Sequence, residues 1–266
     1  IGVGNTRHGI FSENTGAALA ICATVAEPIF DPDRRMPLHA HALPDTYMLH
    51  TFTSGGIVLR WFRDRFATEE QSVAATLLDD AYTLLAREAG TVPAGSDGLV
   101  MLPHLQGAMA PEDNADARGV FAGITLQHHK GHFARSIMEA IACAIRRNLE
   151  VVEDLGIKVS EIRSTGGASN SPTWSQIKAD LTQRPVRTMA QRQAACAGAA
   201  ILAGVGVGIF PSVDEAVDRV ARAADTYEPD PTNAHVYEDV YQRYVALYEA
   251  LVPVFPMLAA AEQVQP

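Results

Sequence analysis

Residues able to do chemistry in this chain converge most clearly in STGGASNSPTW, Ser164 to Trp174. Gly166 and Gly167 follow the strand-like EIRST, and Ser171 before Pro172 is a good helix N-cap with proline at the first helical position. A strand, a tight glycine turn and a helix start let a ligand lie against bare backbone, with amides aimed at an anion. The stretch lacks the lysine of a phosphate-binding P-loop and the third glycine of a dinucleotide fingerprint. Spacing alone therefore leaves two readings open, a ligand-holding turn and a structural one. Gly2-Val3-Gly4 and the run from Gly204 to Gly208 read as a short turn and a close helix ending.

Other reactive side chains give no comparable pattern. Glu112, Asp113 and Asp116 stand in a polar loop and read as solvated charges, while Glu139 and Glu153 read as surface or ion-pairing groups on a helix. His128, His129 and His132 cluster, and His39 and His41 alternate as on an extended segment, but no second compact ligand pair faces either set. Structural or surface roles are expected for them, and no metal site. The three cysteines, Cys22, Cys143 and Cys196, lie far apart and read as small core residues in a reducing compartment.

The elements that must position the glycine turn mix strands with helices, which predicts an α/β domain. ALAICATV (18–25) and TYMLHTF (46–52) read as core strands separated by a Pro-rich turn segment. The double glycine Gly55-Gly56 opens a helix over 56–66, and 72–88 continues the helical period. The strongest helix lies between His132 and Gly156, where Phe133, Ile137, Ile141, Ile145, Leu149 and Val152 define one buried face and Gly156 a C-terminal stop. Ser212 with Glu215 reads as a capping box, and the tyrosines of 235–251 as a packing stripe. EPDPTNA (228–234) is a short linker candidate, and AEQVQP at the end reads as an unstructured polar tail.

With 47% hydrophobic and 20% charged residues, the 266-residue chain has the composition and length of a globular protein with a sizeable core. Its formal charge of −10 offers no basic stripe for a phosphate backbone or an anionic membrane, so neither nucleic acid nor membrane is an expected partner. No run of about 18 apolar residues and no signal-peptide order is found, which predicts a cytoplasmic location. Strand-like residues already at position 1 suggest a piece of something longer.

RGVFAGITLQHHKGHFARSIMEAI (118–141) resembles the second signature of the FGGY carbohydrate-kinase family: an apolar pair, Gly123, then a spacer to His132-Phe133 and Ser136 to Glu139. Residues 166–186, 193–210 and 227–251 resemble that family's nucleotide loop, its glycine- and alanine-rich helix and its closing helix. The resemblance is greatest to the xylulokinase branch. It implies that residues 1–258 form a C-terminal lobe of ribonuclease H-like, actin-like ATPase fold with additional helices, 259–266 being a polar tail.

The resemblance also implies roles. The start of the chain is similar to a phosphate hairpin in which glycine and threonine touch the transferring end of ATP; the pair falls at Gly16 and Ala17, so the threonine is missing. Thr15, one residue earlier on a strand, would point to the opposite face. Gly56 and Arg60 match positions facing phosphates and nucleotide, with a solvated helix charge an equal reading for Arg60. Gly107 matches a glycine near the cleft, and Gly167, Ala168 and Ser171 match positions that flank adenine and ribose. The base of such a kinase is an aspartate upstream of residue 1, so no catalytic residue is assigned here. Mg2+ would be held mainly by an N-terminal lobe and the phosphates. The implied reaction passes the ATP γ-phosphoryl group to a hydroxyl of a ketose or polyol such as xylulose, with the sugar, adenine nucleotide and the N-terminal lobe as partners. A homodimer is compatible with the tyrosine-rich last helix. The alternative is a non-catalytic nucleotide-binding or regulatory relative.

Overall fold

The computed structural model describes residues 1–262. After a run of turns, β1 (Phe11–Thr15) and β2 (Ala18–Val25) form a hairpin, followed by β3 (Leu38–Ala40) and β4 (Tyr47–Ser54). Three helices come next, α1 (Ile57–Phe66), α2 (Thr68–Leu77) and α3 (Ala81–Gly90), then the short strands β5 (Val100–Leu102) and β6 (Val120–Ala122). The long helix α4 (Lys130–Asp154) leads to β7 (Ile162–Thr165), α5 (Pro172–Thr182) and β8 (Val186–Met189). Helices α6 (Ala194–Gly206) and α7 (Val213–Val220), strand β9 (Ala223–Tyr227) and helices α8 (Ala234–Leu251) and α9 (Phe255–Glu262) complete it.

The main sheet has the order β3-β4-β2-β1-β7-β8-β9. β1 pairs antiparallel with β2 and parallel with β7, and β7 is parallel to β8. Alternation drives the strands inward on one face: Leu19, Ile21 and Ala23 of β2 are fully buried, as is Phe11 of β1. β5 and β6 form a separate antiparallel pair.

Helix α4 departs from the expected single buried face. Ala134, Ala142 and Cys143 are as buried as Ile137, Ile141 and Ile145. Small side chains around the helix let α3, α5 and the sheet approach it from several sides, so it becomes the spine of the core. Its start is a reciprocal cap in which His129 and His132 each accept a backbone amide of the other's turn, and His132 also bonds Asp97 at 3.0 Å.

Several expectations are corrected. The helical period over 72–88 is two helices, because Leu78 turns left-handed (φ 53°) and Asp80 caps α3 by accepting the Tyr82 amide. Cys196 is exposed, on α6. Glu112 is sequestered against Arg147 (3.0 Å), and burial pushes its carboxyl above the usual range, partly offset by that guanidinium. For Glu139 the ion-pairing reading holds and the surface one does not: it is buried with Arg135 (2.9 Å) and accepts from the Gly95 amide and Ser96 hydroxyl. The segment 228–234 is no linker: Asp180 of α5 accepts bonds from the Asp230 amide and the Asn233 side chain. No strand begins at residue 1, where Gly4 closes a turn onto Ile1. Helix α9 occupies residues 255–262, so the expected tail is helical as far as Glu262; residues 263–266 lie outside the described ones. The tyrosine stripe is confirmed, with Tyr237, Tyr241 and Tyr244 buried. Among the described residues no helix is long and apolar enough to cross a membrane.

His104, next to the end of β5, is buried beside the rings of Tyr244 and Tyr248, and neither ring nitrogen has a hydrogen-bond partner among the described residues. Burial lowers its pKa from 6.5 to about 4. The unfolded chain takes up this proton below its ordinary value and the folded chain does not, so stability is complete above that value and falls as pH drops toward the folded one. Urea unfolding should show the native chain losing about 3 kcal/mol more than a His104→Phe variant between neutral pH and pH ~4. Equal losses would show that His104 does not carry this dependence.

Candidate functional site

Two backbone turns meet at one end of the sheet because β1 and β7 run parallel, with Asn14 opposite Thr165 in register. From β1 the chain builds outward through β2, β4 and β3; from β7 it builds the other way through β8 and β9. A crevice outside the carboxyl ends of neighbouring strands that diverge in this way is where open α/β sheets bind ligands.

The first turn, Gly16-Ala17, joins β1 to β2 and is seated on the start of α1. The Gly56 amide donates to the Gly16 carbonyl at 2.8 Å and the Ile57 amide to the Ala17 carbonyl at 3.0 Å. A side chain at Gly56 would sit 2.5 Å from the Gly16 carbonyl, and one at Gly55 would strike the backbone of Ala18 and Leu19. These glycines therefore let a helix N-terminus close on the turn. Ala17 itself is exposed. Arg60, one turn into α1, is exposed; its amide donates to the Gly56 carbonyl at 2.9 Å, and its side chain makes no ion pair or hydrogen bond among the described residues.

The second turn follows β7. Gly166 adopts φ 85°, ψ −179°, a conformation open only to glycine, and a Cβ there would lie 2.5 Å from both the Thr15 carbonyl and the Asn14 side chain. Gly167 is the opposite case: it is exposed, and a Cβ there would meet nothing within 4 Å. A single 3₁₀ turn, Gly167–Asn170, then leads to Ser171, whose hydroxyl caps α5 by accepting the Trp174 amide at 3.2 Å. Ala168 faces the core, and Ser169 ties the turn by donating to the Gly166 carbonyl at 2.8 Å.

The structure thus gathers Gly16, Ala17, Gly56 and Gly167 at one end of the sheet, with Arg60 a turn further along α1. Ala168 and Ser171 border it, one as core and one as cap. Gly107 stands apart: it holds φ 85° and approaches the backbone of Ala115, in a loop closed by paired bonds between Ala108 and Asn114.

Sequence reasoning missed what lies beneath the two turns. Glu13 and Lys178 are completely buried and paired at 2.6 Å. The ammonium also donates to the Thr15 hydroxyl at 3.2 Å and the Ser164 hydroxyl at 3.4 Å. Both hydroxyls donate in turn to Glu13, Thr15 at 2.5 Å to Oε2 and Ser164 to Oε1. Thr15 therefore points inward, as strand alternation requires, and cannot stand in for a hydroxyl at position 17. One signal was present in the sequence: Phe11, Glu13 and Thr15 share a strand face, so a carboxylate with an apolar neighbour on that face needed a buried partner. Removing either partner alone would strand a buried charge and destabilise the fold by about 3–5 kcal/mol.

Among the described residues no group of three or more His, Cys, Asp or Glu is placed to hold a metal ion. The carboxylate nearest the turns, Glu13, is engaged with Lys178, so these residues do not form a Mg2+ site of their own. The two turns leave Ala17 and Gly167 exposed, with the exposed Arg60 one turn into α1.

Comparison with known proteins identifies the fold and the family. The chain is 29% identical to the xylulose kinase of Staphylococcus epidermidis over 218 residues, covering 82% of this chain and 42% of that protein. It is 32% identical to the gluconokinase of Bacillus subtilis over 258 residues, covering 96% of this chain and 48% of that one. The crystal structure of xylulose kinase from Rhodospirillum rubrum superposes with a TM-score of 0.84 at 33% identity, over 96% of this chain and 49% of that one. The chain thus spans less than half the length of these curated relatives. Its mixed sheet with flanking helices is the ribonuclease H-like, actin-like ATPase fold of those kinases. Residues 15–207 match the C-terminal domain of the FGGY carbohydrate kinases, and the chain belongs to that family.

Proposed function

We propose that this chain is the ATP-binding lobe of a kinase that passes the γ-phosphoryl group of ATP to a hydroxyl of a ketose or polyol such as xylulose. The observation that carries this reading is the pair of glycine turns that meet at the carboxyl ends of β1 and β7, with Ala17 exposed in one and Gly167 in the other. Adenine and ribose would lie against Gly167, near Ala168 and Ser171. The phosphates would extend toward Gly16, Ala17 and the start of α1. Sugar selection, the general base and most of the Mg2+ coordination would belong to an N-terminal lobe, and closure of the two lobes would exclude water and align the hydroxyl. Within this chain Glu13, Glu112 and Glu139 are each engaged by a cation, which supports leaving the base to the other lobe.

A second reading, a nucleotide-binding relative without turnover, is favoured by the turn itself. Ala17 carries no hydroxyl where the family pattern has threonine, and Thr15 is turned toward Glu13.

Calorimetry of the full chain should show ADP and ATP binding with Kd of roughly 10 μM to 1 mM. No heat at several times that range would contradict a nucleotide site. In a xylulose phosphorylation assay of the protein that carries both lobes, Ala17→Thr should raise kcat/KM about tenfold, the effect of one added hydrogen bond to a charged group. Unchanged turnover would show that position 17 does not touch the phosphates. The two glycines of the second turn should separate stability from binding: Gly166→Ala should cost about 2 kcal/mol of stability. Gly167→Ala should change stability by less than about 0.5 kcal/mol and weaken adenosine binding. Equal stability effects would contradict the backbone geometry described above.

A further inference from the structure

The buried Glu13–Lys178 pair touches no solvent, and the family reading gives it no role. Its placement suggests one. Glu13 is two residues before Thr15, which ends β1 immediately ahead of the Gly16-Ala17 turn; Ser164 is two residues before Gly166 in the other turn. Glu13 and Ser164 face each other across the β1–β7 register. Lys178 comes from α5, the helix whose first turn is capped by Ser171 beside Gly167. One ammonium therefore bonds to the strand under the first turn, the strand under the second and, through its own backbone, the helix that follows the second. Its donors meet Glu13, Thr15 and Ser164, so the cluster is closed and fully satisfied.

A network of this kind fixes geometry more tightly than apolar packing, because each bond is directional and an ammonium left without its acceptors is strongly disfavoured in a dry site. A ligand that spans two turns gains from their spacing being set in advance, whereas a ligand that touches one turn does not. We propose that Glu13 and Lys178 are positioning residues that hold the Gly16-Ala17 and Gly166-Gly167 turns at one separation, so that a nucleoside di- or triphosphate reaching both binds more tightly than its nucleoside portion alone. This rests on the nucleotide reading of the crevice given above.

The test compares ADP with adenosine, by calorimetry on the full chain, for the native protein and the double variant Glu13→Gln/Lys178→Gln, which removes both charges and keeps amide partners for the two hydroxyls. Native protein should bind ADP more tightly than adenosine. The double variant should lower the ADP-to-adenosine affinity ratio by at least about fivefold, with adenosine affinity changed less than about twofold. A purely structural pair would lower the unfolding temperature and leave that ratio unchanged, which would overturn the proposal while the nucleotide site stands. Native protein that binds neither ligand would overturn the site reading and the proposal with it. Should the double variant not fold, Ser164→Ala, which loosens one strand and retains the ion pair, reads the same ratio. A fall of about twofold is then expected, and no fall overturns the proposal.

Discussion

The two turns meet because β1 lies beside β7 in parallel, with Asn14 opposite Thr165 at their ends. At Gly166 the backbone passes so close to Thr15 that a single methyl group would strike its carbonyl, and the local conformation is one that only glycine adopts. That contact brings the second turn against the first. The same logic holds on the other flank, where Gly55 and Gly56 let the start of α1 close on the first turn and satisfy its two carbonyls. Three segments far apart in sequence thereby form one continuous backbone surface.

Beneath this surface the chain keeps two full charges in its core. Burying an ion pair is expensive, and apolar residues of similar size often stabilise a fold as well or better. Here both charges are completely covered, and two hydroxyls complete their hydrogen bonds. The spine helix α4 shows the contrasting solution: its small alanines and Cys143 permit close approach from several sides, and its carboxylate Glu139 is held by Arg135 and two loop donors from residues 95 and 96. The fold thus uses apolar packing for its bulk and satisfied polar clusters where loops and strands must be placed.

Much of this was legible in the sequence, where local chemistry decided structure. The strands over 18–25 and 47–54, the helix from Pro172 with its Ser171 cap, the Gly156 stop and the tyrosine stripe of α8 all follow from periodicity and capping. The glycine turn at 166–167 and the inward orientation of Thr15 were legible too, the latter from strand alternation. The illegible features depend on partners distant in the chain. The break at Leu78 replaces a continuous helical period because the turn there is set by left-handed backbone and the Asp80 cap, a choice that propensity alone does not make. Glu112 read as a solvated charge, but Arg147 draws it into the interior; the ion pair of Glu139 was one of its two readings, and its burial with Arg135 was not legible. Glu13 and Lys178 are 165 positions apart, and only the parallel pairing of β1 with β7 brings their elements together.

The central claim is that the two turns at the ends of β1 and β7 form one nucleotide surface. A crystal structure of the full chain with ADP tests it most directly. The account predicts ribose and adenine against the exposed backbone of Gly167, with the phosphates reaching the Gly16-Ala17 turn at the start of α1. ADP bound elsewhere on the molecule, or bound with its phosphates directed away from that turn, would contradict it.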